Sequence, residues 1–256
     1  MTSPTSAALP AKLHGSITPL SPTTAWRWAR CRRLYLLKNL LQLPAVDPGS
    51  WNEEGLRIHA ILHQLHRDAS CRDAHAVDDM VASYSLGDDD RIRGFIARHR
   101  TRCPDDADYD GGEVPLARFH REPPPLFTAS ATIDALWIHD GVLDARDYKT
   151  GAATITDLSH DVRARTQAWL LSRRAQAKGL RLRLRYEFLG PEADEDPPHW
   201  EPDAEELLAI EEELRTTAEQ MRAERDFVGV ADATICNWCE YKSICSDAVV
   251  REKPAS

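Results

Sequence analysis

The chain has 256 residues, of which 42% are hydrophobic and 29% charged, and its formal net charge is −9. No run approaches the ~20 apolar residues of a membrane-spanning helix, and the first 16 residues lack the apolar core of a secretion signal. These features exclude an integral membrane protein and favour a cytoplasmic globular protein whose cysteines are reduced, metal-bound or buried. We expect one domain over residues 17–248, between short tails at 1–16 and 249–256.

The acidic excess is confined to one part of the chain. Residues 192–226 carry 14 acidic and 3 basic side chains, whereas residues 1–50 carry six Lys or Arg against one Asp. Residues 161–190 are also basic, with eight Lys or Arg against two acids. Because net charge bears on association rather than on fold, the value of −9 does not exclude a nucleic-acid partner.

Two amphipathic helices are predicted before residue 70. Residues 21–41 repeat large apolar side chains at helical spacing between Lys and Arg residues, and residues 55–68 carry an apolar stripe headed by Ile58. A second stripe on the latter helix consists of His59, His63 and His66. This ladder is compatible with a zinc site or with a solvated polar face, and no Glu between the first two histidines provides a metalloprotease base.

The next segment changes from helix to strand. Residues 71–111 are predicted to be helical in part, and Cys71 and Cys103 have no obvious spacing partners, so we expect ordinary thiols. Residues 113–119 read as a strand, and Pro115 indicates that it lies at a sheet edge.

The stretch Thr132–Gly151 reads as a β-hairpin around Asp140-Gly141, a strong two-residue turn signal. If those two residues are the whole loop, strands 129–138 and 142–149 pair so that Asp134 faces Asp147. Strand alternation then places Lys149 on the same face. A three-residue loop would instead set the two acids diagonally.

Facing carboxylates repel each other unless a cation lies between them, and their oxygens suit a hard ion such as Mg²⁺. A metal with a neighbouring lysine suits phosphodiester hydrolysis, because the metal activates water and the ammonium neutralises charge. The alternative is a surface hairpin whose acids and lysine are solvated.

The remaining elements are two helices and a strand. Residues 157–178 form a predicted helix that ends at Gly179, and residues 181–189 alternate apolar side chains with an arginine row that is solvated or neutralises phosphates. Asp203 begins the second of these helices, to about residue 225, with a capping box.

The chain closes with Cys236, Cys239 and Cys245 in a C-x2-C-x5-C arrangement. Closely spaced thiolates select zinc or an iron–sulfur cluster, and three such ligands need a fourth. Spacing alone leaves both metals open.

The pattern Ile133-Asp134 followed by D-Y-K-T-G at 147–151 resembles the PD-(D/E)XK nuclease superfamily and, within it, the RecB-type nucleases. The resemblance implies that Asp134 and Asp147 bind Mg²⁺ or Mn²⁺ and that Lys149 is the catalytic lysine. It also matches a Gly-x-x-x-His element at Gly55 and His59, so His59 would join the metal site, with His63 and His66 left at the surface.

The resemblance extends from Ser21 to Asp247 and assigns further residues. Gln167 would contact the substrate backbone, and Glu113 matches a family glutamate that is either near the metal or a surface residue. A [4Fe-4S] cluster would be held as in AddB-like helicase–nuclease subunits and CRISPR-associated adaptation nucleases, through Cys31, Cys236, Cys239 and Cys245. The chain departs from the family pattern at Ala131, Arg32 and Leu171, where Gly, Pro and Tyr are usual.

The resemblance implies an α/β, restriction-endonuclease-like fold with a mixed central sheet flanked by helices and terminal segments joined by the metal cluster. The expected function is metal-dependent hydrolysis of DNA, as an exonuclease acting on strand ends or single strands in repair, recombination or defence, with a helicase as a further partner. The alternatives are a non-catalytic DNA-binding subunit of a helicase–nuclease complex and a nuclease stapled by zinc.

Overall fold

The computed structural model describes residues 17–46, 51–84, 90–105, 108–121, 125–151, 155–190 and 196–249. In these ranges six strands form one mixed sheet: β1 (Thr18–Leu20), β2 (Tyr109–Phe119), β3 (Phe127–His139), β4 (Val142–Lys149), β5 (Arg181–Phe188) and β6 (His199–Trp200). The sheet order is β1-β3-β4-β5-β6, and β2 pairs along β3 as well.

The long strand β3 organises the sheet because three strands pair with it. β2 runs antiparallel to it from Phe119–Thr128 to Tyr109–Trp137, while β1 pairs in parallel and β4 antiparallel. β2 therefore lies at an edge, as Pro115 predicted. β4 and β5 are parallel, and the crossover between them is a helix, the usual way to join parallel strands.

The described helices are α1 (Pro22–Arg30), α2 (Arg32–Tyr35), α3 (Trp51–Arg67), α4 (Ala74–Tyr84), α5 (Asp90–Arg102), α6 (Val162–Ala177), α7 (Ala204–Ala223) and α8 (Ala233–Cys236). A π-helical turn, Leu36–Leu40, follows α2, and a 3-10 turn, Leu158–His160, precedes α6. The capping box predicted at Asp203 is present at the start of α7.

Helices cover both faces of the sheet. On one face α1, α6 and α7 enclose a core that includes Trp28, Phe127 and Trp169. On the other face α3, α4 and α5 pack Ile58 and Phe95 with others against Trp137 and Tyr148. Each fully buried side chain of this size stabilises the fold by roughly 1.5–3 kcal/mol. The predicted α/β fold, with a mixed sheet between helices, is confirmed.

Two predictions about local structure were incomplete. The single helix predicted over residues 21–41 is divided at Cys31, whose extended backbone (φ −164°, ψ 118°) ends α1 and precedes α2. Strands β1 and β6 were not predicted, because three and two residues are too short to show an alternating pattern.

Candidate active site

The hairpin between β3 and β4 has the predicted two-residue loop. Asp140 and Gly141 have positive φ values of 50° and 71°, as a type I′ turn requires, and His139 pairs with Val142. The ladder continues to Ala135 and Arg146. Asp134 and Asp147 are the next residues of the two strands, and their carboxylates interact directly.

The two carboxylates have different partners. Asp134 Oδ2 accepts a hydrogen bond from the backbone N–H of Tyr148 at 2.7 Å. Asp147 Oδ2 accepts one from Lys149 Nζ at 2.7 Å and another from Gln167 Nε2, on α6, at 3.1 Å. The structure thus brings together four of the predicted site residues at the point where β3 and β4 separate.

His59 reaches the acid pair from α3. Its Nδ1 lies 3.3 Å from Asp134 Oδ1, and its Nε2 lies 3.1 Å from the carbonyl oxygen of Tyr148. A carbonyl oxygen can only accept, so Nε2 carries a proton. In the protonated ring Nδ1–H donates to Asp134, whereas in the neutral ring the Nδ1 lone pair faces that carboxylate and a cation between them would offset the repulsion. A carbonyl that fixes the tautomer in this way is the usual second partner of a metal-binding histidine.

Glu113 also belongs to this group. One carboxylate oxygen of Glu113 and of Asp134 and one nitrogen of His59 lie within 4.8 Å of one another. Glu113 is exposed and has a positive φ of 49°. The sequence left open whether Glu113 lies near the metal site or elsewhere on the surface, and the structure favours a position near the metal site.

Gly112 permits the close approach of β2 to the site. A Cβ at this position would lie 2.0 Å from Tyr109 Oη and 2.6 Å from His63 Nδ1. No side chain fits there, and the register of β2 shifts between Tyr109 and Gly111. The adjacent glycines before Glu113 are the sequence signal for such an irregularity.

The electrostatics of the acid pair are asymmetric. Burial, together with the charge of Asp147, raises the pKa of Asp134 to about 6. Burial would also raise the pKa of Asp147, but the Lys149 ammonium and the hydrogen bonds from Lys149 and Gln167 outweigh it and lower that pKa. For His59, the desolvation that lowers the pKa is outweighed by Asp134, and the pKa is raised. At neutral pH the carboxylate of Asp134 is buried and is repelled by the charge of Asp147. A divalent cation between the two carboxylates would offset this repulsion.

A groove of about 1240 Å³ extends from Asp147 to the C-terminal cysteines. It is bordered by Asp147, Lys149 and Gln167 at one end and contains two tryptophans, Trp26 and Trp238. Seven Lys and Arg side chains line it against three carboxylates, although the whole chain is acidic. The basic residues are Arg27, Arg30, Arg33, Lys38, Lys149, Arg163 and Lys242.

The four cysteines predicted to share a cluster line this same groove: Cys31, Cys236, Cys239 and Cys245. Burial and the other three thiols raise the pKa of Cys239, which places all four in one electrostatic neighbourhood. Two ion pairs join the terminal segments beside them, Lys38–Glu240 at 2.9 Å and Arg33–Asp247 at 3.3 Å. The predicted meeting of the two termini is therefore present.

Two expectations about side chains outside this site were wrong. His66 is not at the surface, because α5 and β2 cover that part of α3 and leave its side chain 2% exposed. Cys71 and Cys103 are not isolated thiols, because the fold brings them to His66 and His99. His63 is partly buried next to Gly112.

The arginines of β5 pair with acidic residues, with Arg181 exposed and Arg183 and Arg185 partly buried. Arg181 and Arg183 both pair with Glu201, at 2.7 Å and 2.6 Å. Arg185 lies 3.8 Å from carboxylate oxygens of Asp144 and Asp196. These arginines therefore tie β5 to its own acidic neighbours.

Comparison with known proteins gives one family match. The sequence model of the PD-(D/E)XK nuclease superfamily matches residues 19–246. The solved structure described as SSO0001 is 13% identical to this chain, with 90% of this chain and 86% of that one covered and a TM-score of 0.43. No curated protein matches. None of the helices in the described ranges has the length and apolar character that crossing a bilayer requires.

Proposed function

The chain belongs to the PD-(D/E)XK nuclease superfamily, whose members are metal-dependent nucleases, and on that premise we propose that it is a RecB-like deoxyribonuclease that uses Mg²⁺ or Mn²⁺. Residues 17–248 would form one nuclease domain that degrades DNA from strand ends or as single strands, in repair, recombination or defence. The observation that carries the proposal is the facing pair Asp134 and Asp147 with Lys149 beside it.

Asp134, Asp147 and His59 would hold the divalent ion, with Glu113 as a further carboxylate. The donor set fits such an ion, since hard cations prefer carboxylate oxygens and Nδ1 of His59 lies 3.3 Å from Asp134 Oδ1. When bound, the metal supplies Lewis-acid polarisation of the phosphoryl group and lowers the pKa of a water.

The protein side chains have separate tasks around that ion. Lys149, held 2.7 Å from Asp147, supplies a fixed positive charge where the phosphate becomes more negative. Gln167 fixes the rotamer of Asp147 from α6 and offers an amide to the substrate backbone. Tyr148 holds Asp134 through its N–H and His59 through its carbonyl oxygen, so both ligands are oriented by one peptide segment.

The basic groove supports a nucleic-acid substrate that passes the acid pair and continues toward the cysteines. Its excess of cations would neutralise successive phosphates. Trp238 has 77% of its surface exposed at the edge of this groove, and exposed aromatic rings beside cations are typical of single-strand binding, because bases stack on them. This combination favours an unpaired strand over a duplex.

Cys31, Cys236, Cys239 and Cys245 would hold a [4Fe-4S] cluster that joins the two terminal segments. Four thiols at one groove suit either zinc or iron–sulfur. The resemblance to RecB-type nucleases with an N-terminal cysteine and this C-terminal trio favours the iron–sulfur cluster. The cluster would close a loop of about 200 residues and hold Trp238 next to α1.

A nuclease assay tests the proposal directly. Wild type, Asp147→Ala and the control Asp140→Asn, on the 95% exposed turn of the same hairpin, are incubated with end-labelled single- and double-stranded DNA and RNA with Mg²⁺ or Mn²⁺. We expect metal-dependent shortening of single-stranded DNA by wild type and the control, and none by Asp147→Ala. Equal cleavage by Asp147→Ala, or DNA binding without cleavage by wild type under every metal condition, would refute the proposal.

The cluster is tested on anaerobically purified protein. We expect about four iron and four sulfide per chain with absorbance near 400 nm, roughly where iron–sulfur charge transfer falls, and loss of both in Cys31→Ser. A colourless protein with zinc bound by four sulfurs would contradict the iron–sulfur cluster and show that these cysteines hold a structural zinc ion instead.

A further inference from the structure

A second group of metal-binding side chains lies between α3, α5 and the face of the sheet that carries Trp137 and Tyr148. It consists of two histidines and two cysteines whose ligand atoms all lie within 4.8 Å of one another: His66, Cys71, His99 and Cys103. All four are buried, with exposed fractions of 2%, 0%, 0% and 6%. Such a set of two thiols and two imidazoles is the ligand combination of tetrahedral structural zinc sites.

The ends of two helices supply the four residues. His66 lies in the last turn of α3, and Ala69 with a positive φ of 49° ends that helix and leads the chain back to Cys71. His99 lies in the last turn of α5, and Cys103 is the first residue after it. The sequence spacing is therefore H-x4-C followed by H-x3-C, and each half is a local pair at a helix C-terminus.

Hydrogen bonds around the group orient its histidines as a zinc site requires. His99 Nδ1 donates to Glu187 Oε1 at 2.6 Å, so its Nε2 points into the group, where it forms a hydrogen bond with His66 Nε2 at 2.9 Å. Two imidazole nitrogens on one zinc ion are ~3.3 Å apart. A carboxylate on the far nitrogen of a ligating histidine is the commonest second partner in zinc sites.

The backbone and the charges around the group are also fixed. Arg146 Nη1 bonds Glu187 at 3.1 Å and the carbonyl oxygen of Arg102 at 2.9 Å, and Arg72 Nη2 bonds the carbonyl oxygen of Cys103 at 2.8 Å. Zinc with two thiolates is neutral overall, and Glu187 pairs with Arg146, which also pairs with Asp144, while Arg185 lies 3.8 Å from Asp144. A buried metal here would therefore leave no uncompensated charge.

We propose that His66, Cys71, His99 and Cys103 bind one structural Zn²⁺, separate from the nuclease metal and from the four-cysteine cluster. The site is closed, because four protein ligands and burial leave no position for substrate or water. Its effect is to clamp the C-terminal ends of α3 and α5 to the sheet.

This clamp is coupled to the active site through Tyr148. The His99 ring lies 5.2 Å from the Tyr148 ring, and the carbonyl oxygen of Tyr148 receives Nε2 of His59, which is carried by α3. Zinc would therefore hold α3 and β4 in the relative position that places His59 next to Asp134. His59 is not a ligand of the proposed zinc, but its position depends on the zinc site.

Metal analysis and zinc-edge X-ray absorption on the purified full chain test the proposal. We expect about one zinc per chain, with two Zn–S distances of ~2.3 Å and two Zn–N distances of ~2.0–2.1 Å. Zinc should remain in the variant Cys239→Ser/Cys245→Ser and be lost from Cys71→Ser/Cys103→Ser. Retention of iron by the latter variant would show that the two sites are independent.

Three results would overturn the proposal: a folded wild type without zinc after purification in zinc-containing buffer, zinc with four sulfur neighbours, or a disulfide between Cys71 and Cys103. Since loss of zinc from Cys71→Ser/Cys103→Ser would also follow from unfolding, Co²⁺-exchanged wild type supplies a measurement that needs no variant. Tetrahedral ligand-field bands with thiolate charge transfer are expected, and an octahedral spectrum without sulfur ligands would contradict the site. None of these readouts depends on nuclease activity.

Discussion

Replacing Asp134 by asparagine should stabilise the metal-free protein while removing its nuclease activity. The carboxylate of Asp134 is buried against Asp147, and its pKa is raised to about 6 from an ordinary value of 3.8. The asparagine oxygen can still accept the hydrogen bond from the N–H of Tyr148. The substitution thus removes the unfavourable charge without removing that structural contact.

The size and sign of the effect follow from this pKa. A rise of about 2 units corresponds to about 3 kcal/mol, at 1.36 kcal/mol per unit. Because the folded state binds the proton more tightly than the unfolded state, the free energy of unfolding of wild type falls as pH rises from about 4 to about 6. The stabilisation by asparagine should therefore reach up to about 3 kcal/mol above pH 6 and vanish below pH 4.

Thermal unfolding in chelator at pH 8 and at pH 4 measures this difference, which at pH 8 corresponds to a rise in Tm of roughly 6–12 °C for a chain of this size. Mn²⁺ should raise the Tm of wild type by mass action and leave Asp134→Asn nearly unchanged. Asp140→Asn is the matched control, since it makes the same exchange on the exposed turn. A lower Tm for Asp134→Asn than for wild type, in chelator at pH 8, would refute the claim that the charge of Asp134 destabilises the metal-free protein.

Substitutions at three further positions separate the roles of other residues. Lys149→Met should lower the cleavage rate at least ~10²-fold, as loss of one fixed transition-state charge does. Mn²⁺ should still bind to this variant in a calorimetric titration. Loss of Mn²⁺ binding would instead indicate that the lysine serves only to hold Asp147. Trp238→Ala should weaken binding of single-stranded DNA about tenfold, since stacking of one base contributes ~1–3 kcal/mol. Fluorescence anisotropy measures this binding, with substitution of an exposed residue, Val228→Ala, as the control. Equal weakening by both substitutions would exclude stacking. Asp161 caps α6 and pairs with an arginine that outweighs burial and lowers its pKa, so Asp161→Asn should cost about 1 kcal/mol at pH 7 from the lost pair and Asp161→Ala about 2 kcal/mol from the lost cap as well. Because that pKa is depressed, the difference between wild type and Asp161→Asn should disappear as pH falls below about 4 in urea unfolding, and a difference that persists would contradict the ion-pair contribution.

The hairpin shows how much of the site the sequence could predict. The turn signal Asp140-Gly141 determined the loop length, and the period of two along β3 and β4 then determined which residues face each other. Local rules of this kind placed Asp134, Asp147 and Lys149 together before any tertiary contact was considered. The resemblance to a nuclease family added His59 and Gln167, which come from α3 and α6 and have no sequence-local relation to the hairpin.

The second metal group shows where prediction from sequence ended. His66 looked like one of three exposed histidines because the periodicity of α3 does not reveal which of its faces other elements cover. Cys71 and Cys103 are 32 positions apart, and only the packing of α5 against α3 brings them together. The signal that could have found the group is the pairing of each cysteine with a histidine one helical turn earlier, at 66 and 71 and at 99 and 103.

Anomalous diffraction from crystals soaked in Mn²⁺, collected with an uncleavable single strand bound, tests the central claim most directly. We expect a manganese peak between the carboxylates of Asp134 and Asp147, in contact with His59 and next to a phosphate near Lys149. A peak elsewhere in the chain, with the two aspartates apart and no manganese between them, would contradict this account of the site.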